Sequence, residues 1–416
     1  GGVASTNGSS ELKIWLDAGK SIFSDAGTTA STDGGIVQQW NDLSGSNNHA
    51  TKTVSNRPSW DQVDPAINNG ASVDFTAASS NRLNLNTFTL NPSLSGFSII
   101  TVLNANATTG TNQNIIQQKD ASGTGRTLLL YDNTATKMTT FLGGASTAPT
   151  ATYTLNTWNI FSQTFSLSGG TTAINLYKGG TADGAATVTP ETTVGAWLIG
   201  ANKTETGAFL QGSIAELLIL NQSVNSAKRI IVENYLSAKY NVSLTANNVF
   251  TWDDGAGTYD YEVAGIGQAS DGSNHKDAKG TGVVRMWNPN GLANSEFLLW
   301  GHDNTAITST TSAIGTAVDG TIIEERLSRI WRVGEVADVG NVSISFDFSG
   351  IGSPLGSNLR LLIDRDGDGF ADNDVAPIAG SVSGGIAIFS NVNFQNGDRF
   401  TLGNTDASIP LPIELL

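Results

Sequence analysis

The sequence has no cysteine, only three histidines, and no apolar run near the roughly 18 residues that a membrane-spanning helix needs. Disulfides, thiolate metal sites and cysteine nucleophiles are therefore excluded. Because His49, His275 and His302 are widely separated, a histidine-based metal site or catalytic triad is not expected.

Charged residues are scarce, and acidic ones predominate. They make up 14% of the chain, and 22 basic against 37 acidic residues give a net charge of −15. Such a chain repels both the phosphate backbone of nucleic acids and anionic membrane surfaces. Neither is expected as a partner.

Familiar catalytic patterns are also missing. The sequence contains neither Gly-x-Ser-x-Gly nor His-Glu-x-x-His. It also lacks the Glu-x-Asp-x-x-Glu strand that supplies the acid and the nucleophile in sandwich glycosidases. We therefore expect a protein that is not an enzyme.

Turn-forming residues are abundant, with 47 glycines and many serines, threonines and asparagines. They separate short runs of alternating apolar and polar residues, of which 342–348 is the most regular. Many short strands with frequent turns predict an all-β protein built from sandwiches. Three segments are expected: a first domain over residues 1–247, a second over 248–403, and an extended tail over 404–416.

One segment has helical periodicity instead. Between residues 223 and 240, apolar side chains recur at spacings of three and four, and Ser223 or Asn225 can cap the start. This predicts a single amphipathic helix at the end of the first domain. We expect its Ile231 and Tyr235 face to pack on the first sandwich.

Residues 12–18 and 39–50, together with 212–221 and 235–240, resemble the opening and closing segments of bacterial laminin-G-like (concanavalin A-like) domains. The resemblance spans about residues 10–243 and implies a jelly-roll sandwich of two antiparallel sheets. Domains of this family often hold calcium at one rim, where Asp17, Asp42 and Glu216 are candidates. The alternative is that these three acids serve in turns and hydrogen bonds.

The second region resembles an uncharacterised β-domain that follows laminin-G-like domains in Bacteroidetes surface proteins. Residues 263–267, 297–303 and 329–333 carry this resemblance, and it implies a second β-sandwich. Residues 410–416 resemble the segment that precedes the sorting domain of type IX secretion cargo. We therefore expect a processed or truncated bacterial protein, exported by the type IX machinery to the cell surface or the medium.

The strongest chemical signal is an acidic run over residues 364–374, called here the acidic loop. Carboxylates at alternate positions converge when such a loop curls, which suits Ca²⁺. The expected ligands are Asp364, Asp366 and Asp368, the carbonyl of Phe370, and Asp372 or Asp374. The last two are included because Val375 replaces the usual bidentate Glu at position twelve. The alternative is a solvated acidic turn.

Nine tryptophans offer possible stacking surfaces for sugars. Those in polar surroundings are the candidates for ligand contact: Trp40, Trp60, Trp252 and Trp287. Those in apolar strands are expected in the core: Trp158, Trp197, Trp300 and Trp331.

These observations favour a non-catalytic, calcium-stabilised surface module that acts in adhesion or in recognition of an extracellular glycan or protein. One alternative is a polysaccharide-active enzyme or its carbohydrate-binding accessory module. Another is a structural spacer or a subunit of a surface appendage. The ligand and the oligomeric state do not follow from the sequence.

Overall fold

The computed structural model describes residues 1–90, 96–118, 127–142, 145–147, 151–189, 195–253, 259–350, 358–370, 374–408 and 411. The chain forms two compact units. The first unit comprises Ala4–Val224 and Val242–Asn247, and the second comprises Gly1–Val3, Asn225–Asn241 and Asn248–Leu416.

The first unit is built from short strands joined by turns. Its strands are β1 Leu12–Asp17, β2 Ile22–Phe23, β3 Gln39–Trp40, β4 Ala50–Thr51, β5 Ser59–Asp64, β6 Gly70–Phe75, β7 Leu83–Thr89, β8 Phe97–Ala105, β9 Gln113–Gln118, β10 Thr127–Asp132, β11 Lys137–Leu142, β12 Ala145–Ser146, β13 Asn159–Ser168, β14 Thr171–Lys178, β15 Thr181–Val188, β16 Ala196–Ile199 and β17 Gly212–Leu220. Short 3₁₀ turns lie at Pro65–Ile67 and Ala77–Ser79.

Two antiparallel sheets form this unit. One has the order β15-β14-β13-β8-β17-β6-β5 with β1 beside β17, and the other has the order β12-β11-β10-β9-β16-β7-β4-β3-β2. Aromatic side chains from both sheets meet between them: the Phe97 ring lies 4.0 Å from that of Phe165 and 6.2 Å from that of Trp197, centroid to centroid. The predicted sandwich of two antiparallel sheets is confirmed.

The second unit adds one α-helix and a further set of strands. These are α1 Ser226–Tyr240, β18 Tyr261–Gln268, β19 Asn274–His275, β20 Asp277–Lys279, β21 Val284–Trp287, β22 Glu296–His302, β23 Ser309–Thr310, β24 Glu325–Leu327, β25 Trp331–Val336, β26 Val342–Asp347, β27 Leu359–Asp364, β28 Ile378–Ala379, β29 Ser381–Ser383, β30 Ile386–Val392 and β31 Arg399–Asn404.

The second unit is also a sandwich, as predicted. One sheet has the order β19-β18-β22-β25-β31-β24-β23, extended by β27 on β31 and β28 on β27, and the other has the order β20-β21-β26-β30-β29. Trp331 of the first of these sheets packs edge-on against Phe346 of the second, with ring centroids 5.4 Å apart. The core therefore lies between the two sheets.

The predicted helix exists, but it packs on a different sandwich from the one expected. Asn225 caps it by accepting the Lys228 N–H at 2.8 Å. Ile231 is fully buried in a cluster with Val263 of the second unit, and Tyr235 packs against the same cluster. The prediction that this face packs on the first sandwich is wrong. Helical periodicity identifies an apolar face but not the sheet that covers it.

The segment that follows the helix is tied back to it. The Asn234 side-chain oxygen accepts the backbone N–H groups of Val249, at 2.8 Å, and Phe250, at 3.0 Å. These bonds hold the helix and the start of the second sandwich in one unit, whereas the predicted first domain of 1–247 includes the helix. Among the described helices, none is long and apolar enough to span a membrane.

Two tryptophans are placed differently from the expectation. Trp40 is 0% exposed and lies in the core of the first sandwich, so its proposed role as a surface residue is wrong. Its polar neighbours are misleading because β3 turns this side chain inward. Trp158, expected in the core, is half-buried, and its indole N–H donates to Asp64 at 3.1 Å. Trp197, Trp300 and Trp331 are buried as predicted.

Candidate functional site

The acidic loop begins where a buried strand ends. Asp364, the last residue of β27, is 1% exposed, while Asp366 and Asp368 are exposed. One carboxylate oxygen from each of these three residues lies within 4.8 Å of the others. The sharp turn requires Gly367 and Gly369, whose φ angles of 91° and 114° lie in a region that side-chain-bearing residues rarely adopt.

Hydrogen bonds shape this loop locally. Asp364 accepts the Gly367 N–H at 2.7 Å and a weaker bond from the Arg399 guanidinium at 3.4 Å. Asp366 accepts the Asp368 N–H at 3.1 Å. These bonds hold three carboxylates close together where β27 ends.

The other predicted ligands have different outcomes. Asp374 accepts the backbone N–H groups of Arg365 and Asp366, both at 2.9 Å, and so closes the loop through the backbone. Asp372 lies outside the described residues. The Phe370 side chain is 1% exposed and sits in a small apolar cluster, so it anchors the end of the loop in the core.

Arg365 of the acidic loop forms an ion pair with the buried Asp398. Asp398 is 1% exposed and receives the Arg365 guanidinium at 3.2 Å and the Gln395 N–H at 2.9 Å. Burial raises the pKa of the Asp398 carboxyl despite these donors. Arg365 and Arg399 therefore place positive charge next to Asp398 and Asp364.

The three acids considered for a rim site serve as hydrogen-bond acceptors. Asp42 accepts the backbone N–H of Trp15 at 2.9 Å, and Glu216 accepts its indole N–H at 2.8 Å. Asp17 accepts the Gly19 N–H at 2.9 Å. Among the described residues, they do not form a group of carboxylates close enough to share an ion. The structure thus favours the hydrogen-bonding alternative.

The remaining tryptophan candidates are half-buried. The Trp60 indole donates to the Ala18 carbonyl at 2.9 Å. The Arg332 guanidinium lies 3.5 Å from the centroid of the Trp252 ring and covers that face. The Trp287 ring has the Arg285 guanidinium 4.9 Å from its centroid. The two arginine contacts reduce the ring surface of Trp252 and Trp287 that a sugar can stack on.

A second candidate site was missed by the sequence analysis. It is a pocket of about 350 Å³ in the first unit, called here the amide pocket. Asn114 and Gln117 of β9 form its floor, Leu130 and Phe141 form an apolar wall, and residues 202–208, called the rim loop, contribute the opposite side. Asn112 lies at its exposed edge.

A β-bulge places the floor residues on this face. Ile116 pairs with Leu129 of β10 and Asn114 pairs with Leu130, so Ile115 is an extra residue. Both isoleucines are 0% exposed and lie in the core, while Asn114 and Gln117 point to the opposite face of the sheet. Bulges commonly redirect side chains at functional sites.

The two floor amides are buried, oriented and only partly satisfied. Asn114 is 5% exposed and Gln117 2%. The Gln117 oxygen Oε1 accepts from Asn114 Nδ2 at 2.8 Å and from the Lys203 backbone N–H at 2.9 Å. Within the described part of the chain, Gln117 Nε2 and Asn114 Oδ1 make no hydrogen bond, and neither is one of its enclosed side-chain atoms that lack a partner, so water can reach both. The floor of the pocket therefore offers a ligand one donor group, Gln117 Nε2, and one acceptor, Asn114 Oδ1, at fixed positions.

The sequence carried only a weak signal for this pocket. Residues 113–118 read Gln-Asn-Ile-Ile-Gln-Gln, an unusual concentration of amides around a short apolar pair in a strand. The rim loop and the apolar wall come from distant parts of the chain, so only the fold brings them together.

Comparison with known families finds two matches along the chain. Residues 77–228 match the model of the concanavalin A-like lectin/glucanases superfamily, and residues 228–398 match a domain of unknown function (DUF8202). The chain therefore carries a concanavalin A-like domain followed by a DUF8202 domain. The amide pocket falls in the first match and the acidic loop in the second.

No sequence matches the chain among curated proteins. Solved structures with some likeness include domain 4 of an extracellular arabinanase from Geobacillus stearothermophilus in complex with arabinotriose, at 13% identity and a TM-score of 0.35, covering 52% of this chain and 95% of that one. A Trypanosoma rangeli sialidase reaches 14% identity and a TM-score of 0.33, covering 52% of this chain and 31% of the sialidase. The chain thus spans about a third of the sialidase's length. Likenesses at this level carry no functional argument.

Proposed function

We propose that the first unit is a glycan-binding module and that the amide pocket is its binding site. The observation that carries this proposal is the buried amide pair of Asn114 and Gln117, which faces the pocket with one unpaired donor group and one unpaired acceptor. Because water can reach both atoms through the pocket, a ligand that supplies both partners can replace that water without leaving either atom unsatisfied.

Sugars have the matching chemistry. Each hydroxyl both donates and accepts, so one hydroxyl, or two neighbouring ones, can satisfy Gln117 Nε2 and Asn114 Oδ1 together. The apolar wall of Leu130 and Phe141 suits the C–H face of a pyranose or furanose ring. A few placed polar groups beside an apolar wall are typical of a small-ligand site.

Gln117→Glu tests this proposal with little change in shape. A glutamate keeps the oxygen that accepts from Asn114 and Lys203 but replaces the pocket donor with an acceptor. We expect glycan-array signals and calorimetric affinity to fall by about 10- to 100-fold, the effect of losing one buried hydrogen bond and leaving its partner unsatisfied.

Gln38→Glu is the matched control. Gln38 is half-buried in the same unit, and its oxygen accepts from Arg57 at 3.1 Å, so the added charge has a partner. It should bind as the wild type does. An unchanged affinity in Gln117→Glu, or a wild-type protein that binds no glycan on a broad array, would refute the proposed function.

We propose further that binding occurs without cleavage. The described residues that line the amide pocket include no aspartate or glutamate, whereas glycoside hydrolysis ordinarily needs a pair of carboxylates. Incubation with the glycan that binds should release no reducing sugar. Release that is abolished by a single carboxylate substitution would favour the alternative of a polysaccharide-active enzyme.

For the second unit, we propose a stabilising Ca²⁺ in the acidic loop. The clustered carboxylates of Asp364, Asp366 and Asp368 support it. We also retain secretion to the bacterial surface and a role in adhesion as proposals, motivated by the sequence resemblance. Of the proposed secretion tail, residues 410 and 412–416 lie outside the described residues. Cell fractionation that finds the protein in the cytoplasm would contradict this location.

A further inference from the structure

The rim loop is held at its tip by an ion pair. Arg82 Nε lies 2.9 Å from Glu205 Oε2, and Lys52 Nζ lies 3.7 Å from the same oxygen. The Arg82 and Lys52 side chains are only 12% and 13% exposed, so solvent screens this cluster less than an open surface pair. Arg82 is itself fixed, because its other nitrogen, Nη1, donates to the Ser80 carbonyl at 2.9 Å.

The backbone of the loop tip is constrained as well. Glu205 has a φ of 61°, in the left-handed region that non-glycine residues rarely occupy. Asn202 supports this geometry: its side-chain oxygen accepts from the Thr204 hydroxyl at 3.0 Å and from the Thr206 N–H at 3.1 Å. A conformation of this kind persists only where surrounding contacts enforce it.

The Lys203 backbone N–H belongs to the same loop, two residues before Glu205. That group donates to Gln117 Oε1, beside the Asn114 amide. Two donors on one oxygen define which end of the Gln117 amide faces the pocket. If the Lys203 N–H moves away, the Gln117 side-chain amide can rotate by half a turn. Some molecules then present Gln117 Nε2 to the pocket and others present Oε1, so the positions of the donor and the acceptor are no longer fixed.

We propose that Glu205, held by Arg82, is a positioning residue that fixes the orientation of the Gln117 amide and thereby the hydroxyl pattern that the pocket accepts. This inference rests on the proposed glycan-binding function. Glu205 acts through the loop backbone: its carboxylate holds the tip, the tip holds the Lys203 N–H, and that N–H orients Gln117.

The first test follows the amide orientation directly and needs no ligand. In the wild type, a scalar coupling across the hydrogen bond should connect the Lys203 amide nitrogen with the side-chain carbonyl carbon of Gln117. In Arg82→Met and Glu205→Gln, this coupling should disappear. Arg82→Lys keeps the charge and should restore the wild-type pattern.

The second test measures selectivity with methyl glycosides of glucose, galactose, mannose and arabinose and their single-deoxy analogues. We expect the wild type to discriminate between the best-bound glycoside and one of its deoxy analogues. In Arg82→Met, affinity should fall about fivefold and this discrimination should largely disappear. Arg57→Met, which removes an arginine bonded to Gln38 in the same unit, should retain both.

The outcomes separate the two proposals. If the wild type binds no glycoside, the glycan-binding function fails, whereas the coupling across the hydrogen bond still decides whether Glu205 positions Gln117. If Arg82→Met folds and both this coupling and its selectivity match the wild type, the positioning role is overturned. Should Arg82→Met not fold, the milder Glu205→Gln decides by the same two readouts.

Discussion

The acidic loop and the amide pocket are both built from polar side chains at the end of a strand or on a sheet face, but they are assembled differently. The acidic loop lies within eleven consecutive residues, and its charges oppose one another unless a cation joins them. The amide pocket gathers residues from β9, β10, β11 and the rim loop, and its two buried amides bond to each other. One site is local and charged, and the other is distributed and neutral.

This difference predicts how each site is coupled to folding. A cation that neutralises the loop binds the folded state preferentially and therefore stabilises the second unit. A sugar in the pocket bonds to Gln117 Nε2 and Asn114 Oδ1, whose side chains are already held by hydrogen bonds within the protein. Changes in the acidic loop should therefore affect stability, whereas changes at the edge of the amide pocket should affect affinity alone.

The largest expected effect is that of calcium removal. With Ca²⁺ at about 100 times its dissociation constant, binding adds about 2.7 kcal/mol to the unfolding free energy, roughly 5–10 °C in the Tm of a unit of this size. Chelation should lower the second unit's Tm by this amount and leave that of the first unit unchanged, as measured by calorimetry. Asp366→Ala should reproduce the effect.

Asp319→Ala is the matched control for that substitution. Asp319 accepts the N–H two residues ahead at 2.9 Å, as Asp366 does at 3.1 Å, but it is not part of the carboxylate cluster. It should leave the calcium response intact. A melting curve that excess chelator does not move would show that the acidic loop is a solvated turn.

The two sites also differ in how far the sequence could predict them. The alternating spacing of Asp364, Asp366 and Asp368 is visible in the sequence, and the structure brings these three carboxylates together. The sandwich architecture could also be predicted from the sequence, because strand alternation and frequent turns are local patterns. The partner sheet of α1 was not, since it depends on tertiary packing.

The sequence did not predict the amide pocket, because a β-bulge in β9 interrupts the alternation of side chains between the two faces of the sheet. Strict alternation along 113–118 places Asn114 and Gln117 on opposite faces, so β9 has no recognisable polar face in the sequence. The extra residue Ile115 changes the register and puts both amides on one side. Trp40 illustrates the reverse error, because polar neighbours in the sequence conceal a fully buried indole.

A smaller effect concerns the pH dependence of the second unit. Burial, followed by the negative charges of Asp338, Asp398 and Glu296, raises the pKa of Glu335 from 4.5 to about 7. A carboxyl whose pKa is higher in the folded state favours folding at low pH. That contribution is lost as the pH rises from about 4.5 through about 7.

Glu335→Gln should remove this loss of folding stability at higher pH. The glutamine keeps the oxygen that accepts the Val339 N–H at 3.2 Å but never ionises. Relative to the wild type, the variant should gain about 1–2 kcal/mol of unfolding free energy between pH 4 and pH 8, because the half-exposed side chain is partly screened by solvent. Urea titrations at the two pH values measure it, and parallel pH profiles would contradict it.

The smallest expected effect tests whether the amide pocket is separable from folding. Asn112 lies at its exposed edge and makes no hydrogen bond within the described part of the chain. Asn112→Ala should therefore change the unfolding free energy of the first unit by less than about 0.5 kcal/mol, as expected for an exposed position. Glycan affinity should fall about two- to fivefold, since a hydrogen bond to the ligand at a solvated edge contributes less than a buried one. Calorimetry of unfolding and of binding on the same preparation distinguishes the two quantities. If stability and affinity fell together, the pocket edge would be part of the folding framework, and the contrast with the acidic loop would not hold.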